Sequence, residues 1–234
     1  MEMKGWRDLL GEPELRYAED LRSVLRDERC PSTGPVYSMY RDLSVSPEDR
    51  DWMADQYIRF DITCIPSNTL CGEYVKTKGH YHPDNPAGWD YPEIYEVFHG
   101  EAHYLLQKRD LSEVLLVEAG PGDIVVVPPG FGHVTINPGS NELVMANIVS
   151  SQFSSDYRFY EDHHGGAYYE LSTGRLVANR HYPPLPPLER IRSRYLLPKC
   201  PISGPIYDLI QKRDIRLGCL NNPERFPAFF NPIF

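Results

Sequence analysis

The 234-residue sequence predicts a mainly β protein, a barrel or sandwich with helical, extended and proline-rich flanks. Two observations predict it. Between Ile58 and Val149, short apolar or aromatic runs recur, each long enough for a strand and too short for a helix. Clusters of Gly, Pro and Asn divide them, as in Gly120-Pro121-Gly122-Asp123 and Pro128-Pro129-Gly130. Hydrophobic residues make up 41% of the chain, enough to build a core.

Taken in order, Pro13 to about Glu28 reads as a helix, because Leu15, Ala18, Leu21 and Leu25 recur at spacings of three and four. Cys30-Pro31-Ser32-Thr33-Gly34-Pro35 breaks it, and Val36–Tyr40 is a short strand. Ser46 reads as the N-cap of a second helix ending near Tyr57. Pro47 fills its first turn, and Glu48 and Asp49 stand near the positive end of its dipole. Strands are then expected at Ile58–Ile65, Glu73–Lys78, Ile94–Phe98, Ala102–Lys108, Glu113–Glu118, Ile124–Val127, His133–Ile136 and Leu143–Val149. Ala167–Leu171 and Arg175–Arg180 form a hairpin around Ser172-Thr173-Gly174. Tyr182-Pro183-Pro184-Leu185-Pro186-Pro187 is a stiff linker, and the tail from Leu188 is expected to pack on the barrel or across a subunit contact. Cys200-Pro201-x-x-Gly204-Pro205-Ile206-Tyr207 echoes Cys30-Pro31-x-x-Gly34-Pro35-Val36-Tyr37.

The formal net charge of −9 argues against a nucleic-acid binder, which shows a basic face. No stretch approaches the ~20 apolar residues of a membrane span, and the N-terminus is too polar for a signal peptide. Five widely spaced cysteines without a CxxC motif favour reduced thiols and a cytoplasmic protein, with a disulfide left open for a thermophile.

The chemistry gathers between Thr77 and Asn137. His80 and His82 stand two apart, so on an extended segment they point to one face. Glu93 and His133 must reach them by folding. Three imidazoles and a carboxylate make a four-ligand set for a divalent metal. The other histidines, His99, His103, His163, His164 and His181, read singly as surface or hydrogen-bonded residues.

Two clusters carry a resemblance. Gly122, Pro128, Gly130, His133 and Asn137 match a Gly-x5-Pro-x-Gly-x2-His-x3-Asn motif position by position. His80, His82, Glu93 and Gly100 match most of a second motif, although Tyr74 stands where it begins with glycine. Ten residues separate His82 from Glu93, and Pro83 to Asp90 reads as a surface loop. These motifs resemble the cupin superfamily. The resemblance implies a cupin double-stranded β-helix (jelly-roll) barrel with N-terminal helices and a C-terminal extension. Its parts would be an N-terminal segment at residues 1–57, the barrel at 58–182, and a linker and tail at 183–234.

Thr77-Lys78-Gly79-His80-Tyr81-His82 with Pro92-Glu93-Ile94-Tyr95 is further similar to the cupin-type phosphoglucose isomerase family. That family interconverts glucose 6-phosphate and fructose 6-phosphate in glycolysis and gluconeogenesis. The resemblance implies one divalent ion per subunit, Fe2+ first among Fe2+, Mn2+, Ni2+ and Zn2+, on His80, His82, Glu93 and His133. It implies Glu93 as the proton carrier between C2 and C1, or a metal-assisted hydride shift in its place, with Tyr95 orienting or protonating a sugar oxygen. Tyr37, Thr63, Thr77, Gly79 and Tyr157 stand at the family's phosphate-binding positions, and Lys78 is expected to face solvent. The family also implies a cytoplasmic homodimer. Val149 and Ser154 or Ser155 replace a tyrosine and a histidine of the family, for which His163 or His164 is the expected substitute. Two rival readings share the pocket. A cupin dioxygenase would use the same metal set without phosphate donors, and a non-catalytic sugar-phosphate-binding cupin would tolerate loss of Glu93.

Overall fold

The computed structural model describes residues 4–8, 10–193, 202 and 204–230. Its frame is two facing sheets. The first comprises β1 (Glu14–Tyr17), β2 (Pro35–Tyr40), β3 (Ile58–Ile65), β6 (Glu93–His99), β9 (Ile124–Val127) and β11 (Leu143–Ser150), in the order β1-β2-β3-β11-β6-β9. The second comprises β7 (Ala102–Lys108), β8 (Val114–Ala119), β10 (Phe131–Ile136) and β14 (Glu189–Arg192), in the order β10-β7-β8-β14. Two small hairpins complete it: β4 (Thr69–Leu70) with β5 (Glu73–Tyr74), and β12 (Tyr168–Glu170) with β13 (Leu176–Ala178). The fold is the expected mainly β cupin barrel. One core fills it, with Tyr37, Tyr95 and Val125 from the first sheet meeting Tyr104, Val117 and Val134 from the second.

Period-two alternation positions the site. Along β3, Ile58, Phe60 and Ile62 point outward into a second apolar layer, while Arg59 and Thr63 point into the barrel mouth. The register carries the same parity across the sheet. Asn147 of β11 stands opposite both Asp61 and Tyr95, and Val149 stands opposite both Arg59 and Glu93. At the barrel mouth the inward row of this sheet is therefore largely polar, while its outward row is apolar.

The tail covers that outward row. The helix Ile206–Gln211 buries Ile206, Tyr207, Leu209 and Ile210 against the first sheet, and Trp6 wedges between Phe60 and Tyr207 at centroid distances of 4.8 and 4.7 Å. Polar contacts fix it. The Ile206 N–H donates to Glu96 Oε2 at 2.7 Å, and the Tyr207 hydroxyl donates to Asp49 Oδ2 at 3.0 Å. Gly34-Pro35-Val36-Tyr37 enters a strand, whereas Gly204-Pro205-Ile206-Tyr207 enters a helix, so the sequence echo has no common structure. Its Cys200 and Pro201 lie outside the described residues.

Three expectations need correction. The helix at Pro13–Glu28 does not form. Residues Glu14–Tyr17 pair with β2, and only Ala18–Leu21 and the 3-10 turn Arg22–Val24 are helical. A ladder partner outweighs the weak helical preference of the segment. The strand expected over Glu73–Lys78 pairs as β5 only at Glu73 and Tyr74. Beyond it, single bridges join Lys76 to Ile136 and His80 to His133. The thiols are not all reduced: Cys30 and Cys71, 41 positions apart, form a disulfide with their Cα atoms 5.8 Å apart. Cys64 is outside this disulfide and half-buried on β3.

Candidate active site

The two histidine motifs meet through the backbone. The His80 N–H donates to the His133 carbonyl at 3.2 Å, and the His133 N–H donates to the His80 carbonyl at 3.1 Å. This bridge places both imidazoles at one height, and Tyr81, on the opposite side of its strand segment, buries its ring in the core. Glu93 opens β6 and arrives beside them. The ligand atoms of His80, His82, Glu93 and His133 all lie within 4.8 Å of one another.

The set suits a divalent metal. His80 Nε2 lies 3.1 Å from His82 Nε2, and Glu93 Oε2 lies 3.4 Å from His82 Nε2 and 3.3 Å from His133 Nε2. Ligands about 2.1 Å from one ion lie about 3 Å apart when adjacent around it. The Tyr91 carbonyl, 2.7 Å from His82 Nδ1, can only accept, so His82 carries its proton there and turns the Nε2 lone pair into the cluster. Burial, then the neighbouring His133 and His82, hold His80 well below its ordinary pKa. Burial likewise lowers His82 to about 4, against the opposing charge of Glu93. Neutral imidazoles are ligating imidazoles. Burial alone would raise Glu93, but the neighbouring His133, then His82, bring it below the usual carboxyl value. Glu93 Oε2 is nevertheless buried without a hydrogen-bond partner among the described residues, a costly state that a cation relieves.

The pocket above this cluster is lined by Tyr37, Thr63, Thr77, Tyr95 and Tyr157 among the expected residues. Tyr95 places its hydroxyl 3.0 Å from His133 Nε2. Burial, then Glu93, raise its pKa well above the ordinary phenol value, so it stays protonated. Tyr37 Oη accepts the Lys78 N–H at 3.3 Å, and Thr77 Oγ1 accepts the Thr135 N–H at 2.9 Å. Gly79 does not line the cavity. Its φ is +46°, and an added Cβ would stand 2.6 Å from Val134 and 2.8 Å from Tyr160, so glycine is needed there for the chain to pass.

Several wall residues escaped the sequence reading. Asp61 is fully buried and accepts from Arg41 Nη1 at 2.7 Å and from Arg59 Nε at 2.9 Å, so one carboxylate holds two guanidinium groups at the pocket wall. Met39, Met145, Asn147 and Phe153 also line the pocket. The family model of glucose-6-phosphate isomerase matches residues 15–187, from β1 through the proline-rich linker. The chain belongs to the glucose-6-phosphate isomerase family.

Relatives named glucose-6-phosphate isomerase include a protein of Thermococcus litoralis, 32% identical over 43% of this chain and 50% of that one. One of Thermococcus gammatolerans is 32% identical over 61% of this chain and 72% of its own length. The chain thus spans half the length of the first relative and nearly three quarters of the second. A putative glucose-6-phosphate isomerase 1 of Rhizobium meliloti is 32% identical over 42% of this chain and 44% of that one. Among solved structures, oxalate decarboxylase from Bacillus subtilis aligns with 51% of this chain and 27% of that one at a TM-score of 0.38 and 17% identity, too distant to bear on the chemistry.

Within the family frame, further expectations change. Lys78 does not show its charge to solvent. Its side chain lines the pocket, pairs with Glu161 at 2.6 Å and lies 5.5 Å from the Tyr157 ring. Val149 and Ser155 do reach the pocket, but neither His163 nor His164 replaces the missing polar groups there. His163 stacks between Phe159 and Tyr182, and His164 contacts Glu28. The insert Pro83–Asp90 is held from outside, because Asn85 Nδ2 donates to the Asn221 carbonyl and to Glu224 of the tail.

Proposed function

We propose that this chain interconverts glucose 6-phosphate and fructose 6-phosphate at a divalent metal held by His80, His82, Glu93 and His133. The observation that carries the reading is the convergence of these four ligands beneath a rim of tyrosine and threonine hydroxyls. Tyr37, Thr63, Thr77 and Tyr157 supply donors for a phosphate, with Lys78 beside them. Gly79 contributes through its backbone path.

A bound divalent ion, with Fe2+ first among the candidates, would polarise the sugar carbonyl and stabilise the charge that develops on its oxygen. Glu93, ionised by its neighbours, takes the proton from C2 of the aldose and returns it to C1. Tyr95, held protonated, donates a hydrogen bond to the sugar oxygen that becomes charged. Arg41, Arg59 and Asn147 are polar wall groups within reach of the remaining hydroxyls. The sum moves one proton from C2 to C1 and the hydroxyl proton of O2 to O1, with no net oxidation.

The polar lining weighs against the oxygenase reading, which favours an apolar pocket. The homodimer implied by the family would use the open edge of the first sheet, where Leu15 and Tyr17 of β1 are exposed. The test is turnover of fructose 6-phosphate, coupled to oxidation of the glucose 6-phosphate formed, beside unphosphorylated fructose. The account expects turnover of the phosphate ester and at least a hundredfold weaker use of the free sugar. Equal use of both would remove the phosphate from recognition.

A further inference from the structure

We propose that Glu28, His164 and His181 form a second divalent-cation site, of zinc type, that staples three separate segments of the chain. Their ligand atoms lie within 4.8 Å of one another. His164 Nδ1 is 2.8 Å from Glu28 Oε1, and the His164 and His181 rings are 4.2 Å apart at an angle of 36°. The contact to Glu28 lies outside hydrogen-bonding geometry, so this buried ring nitrogen has no hydrogen-bond partner among the described residues. Two imidazoles and a carboxylate, with water in a fourth position, are the donor set of a three-ligand zinc site.

The segments are fixed before any cation arrives. His164 sits at φ +56°, a backbone region side chains rarely adopt. Its carbonyl accepts the Tyr169 hydroxyl at 2.6 Å, and the next carbonyl, Gly165, accepts the Tyr182 hydroxyl at 2.8 Å. Buried Asn179 ties the two histidine segments together. Its Nδ2 donates to the carbonyls of His163 at 2.8 Å and Gly166 at 2.9 Å, and its Oδ1 accepts the His181 N–H at 3.0 Å. On the third side, the loop of Glu28 is anchored by the Arg26 N–H on Glu73 at 2.7 Å and by the disulfide at Cys30. Val24 also packs so closely that a Cβ at Gly165 would stand 2.7 Å from its carbonyl oxygen. A cation here meets ligands whose ordering cost is largely met by the fold itself, which favours affinity. It would also brace the helix Arg158–Asp162, which directly follows Tyr157 at the pocket rim.

The site is separate from the four-ligand cluster, and its test does not depend on isomerase activity. The full chain, stripped by chelator and dialysed against buffered Zn2+, is analysed for bound zinc. Wild type should bind two equivalents, and the double variant Glu28→Gln/His181→Gln one, with its remaining equivalent unchanged in affinity. Both residues are exposed, so the variant should fold, and circular dichroism checks this. In His133→Ala, Zn2+ should still raise the melting temperature, and adding His181→Gln should abolish the rise. One equivalent in wild type, or a second that survives the double variant, would overturn the proposal.

Discussion

Asp61→Asn separates the pocket wall from the fold that supports it. The change keeps the side-chain shape and removes the charge that two arginines share. Asp61 is 0% exposed, whereas Arg41 and Arg59 are 36% and 29% exposed. Each charge-assisted hydrogen bond contributes about 1.5–3 kcal/mol. The partial exposure of both arginines places each near the low end, so their joint loss costs about 3 kcal/mol. In a chain of this length, that lowers the melting temperature by roughly 6–12 °C. The released guanidinium groups also lose their fixed direction at the wall, and KM should rise on the order of tenfold, equivalent to about 1.4 kcal/mol. Differential scanning calorimetry and steady-state kinetics read the two effects. Arg59→Met combined with Asp61→Asn should be more stable than Asp61→Asn alone, because one uncompensated cation is gone. A melting temperature within about 2 °C of wild type, together with an unchanged KM, would refute the role given to Asp61.

Glu93→Gln should lower kcat by about 10²–10⁴-fold in protein reloaded with metal, the usual span for loss of a general base; undiminished turnover would remove Glu93 from the proton transfer. Cys71→Ser should cost about 4 kcal/mol in the chain-entropy account of a crosslink spanning 41 positions, read as a lower urea midpoint, and an unchanged midpoint would show that this crosslink does not constrain the unfolded chain. Ending the chain after Pro187 uncovers the outward row of the first sheet, including the partners of Ile206, Tyr207, Leu209, Ile210, Leu217 and Leu220. At about 1.5 kcal/mol or more per side chain, the loss is on the order of 10 kcal/mol, comparable to the stability of a whole domain. The shortened chain should therefore aggregate or unfold, and a soluble, fully active product would contradict this packing.

The site was legible where spacing alone constrains geometry. His80 and His82 share a face because they are two apart, and the turn glycines around Ile124–Val127 bring His133 to them. The wall was hidden for a physical reason. Arg59-Phe60-Asp61-Ile62-Thr63 alternates as a half-exposed strand does, and such a strand normally turns its polar residues to water. Here the polar row faces the pocket, and the tail covers the apolar row from more than 140 residues away along the chain. Local pattern has no access to so distant a cover. The same limit applies to the cysteines, whose 41-position separation carries no motif, and to Glu28, His164 and His181, which only the fold assembles. At Leu15 the helical stripe misled, because pairing with β2 left that side chain 38% exposed while Ala18, Leu21 and Leu25 still reached the core.

Metal dependence of the proposed isomerase is read from glucose 6-phosphate formation from fructose 6-phosphate, followed through chelation and metal return. The chelator should abolish activity and Fe2+ or another divalent ion should restore it, with His133→Ala failing to recover. Full activity in protein shown by elemental analysis to hold no metal would contradict it.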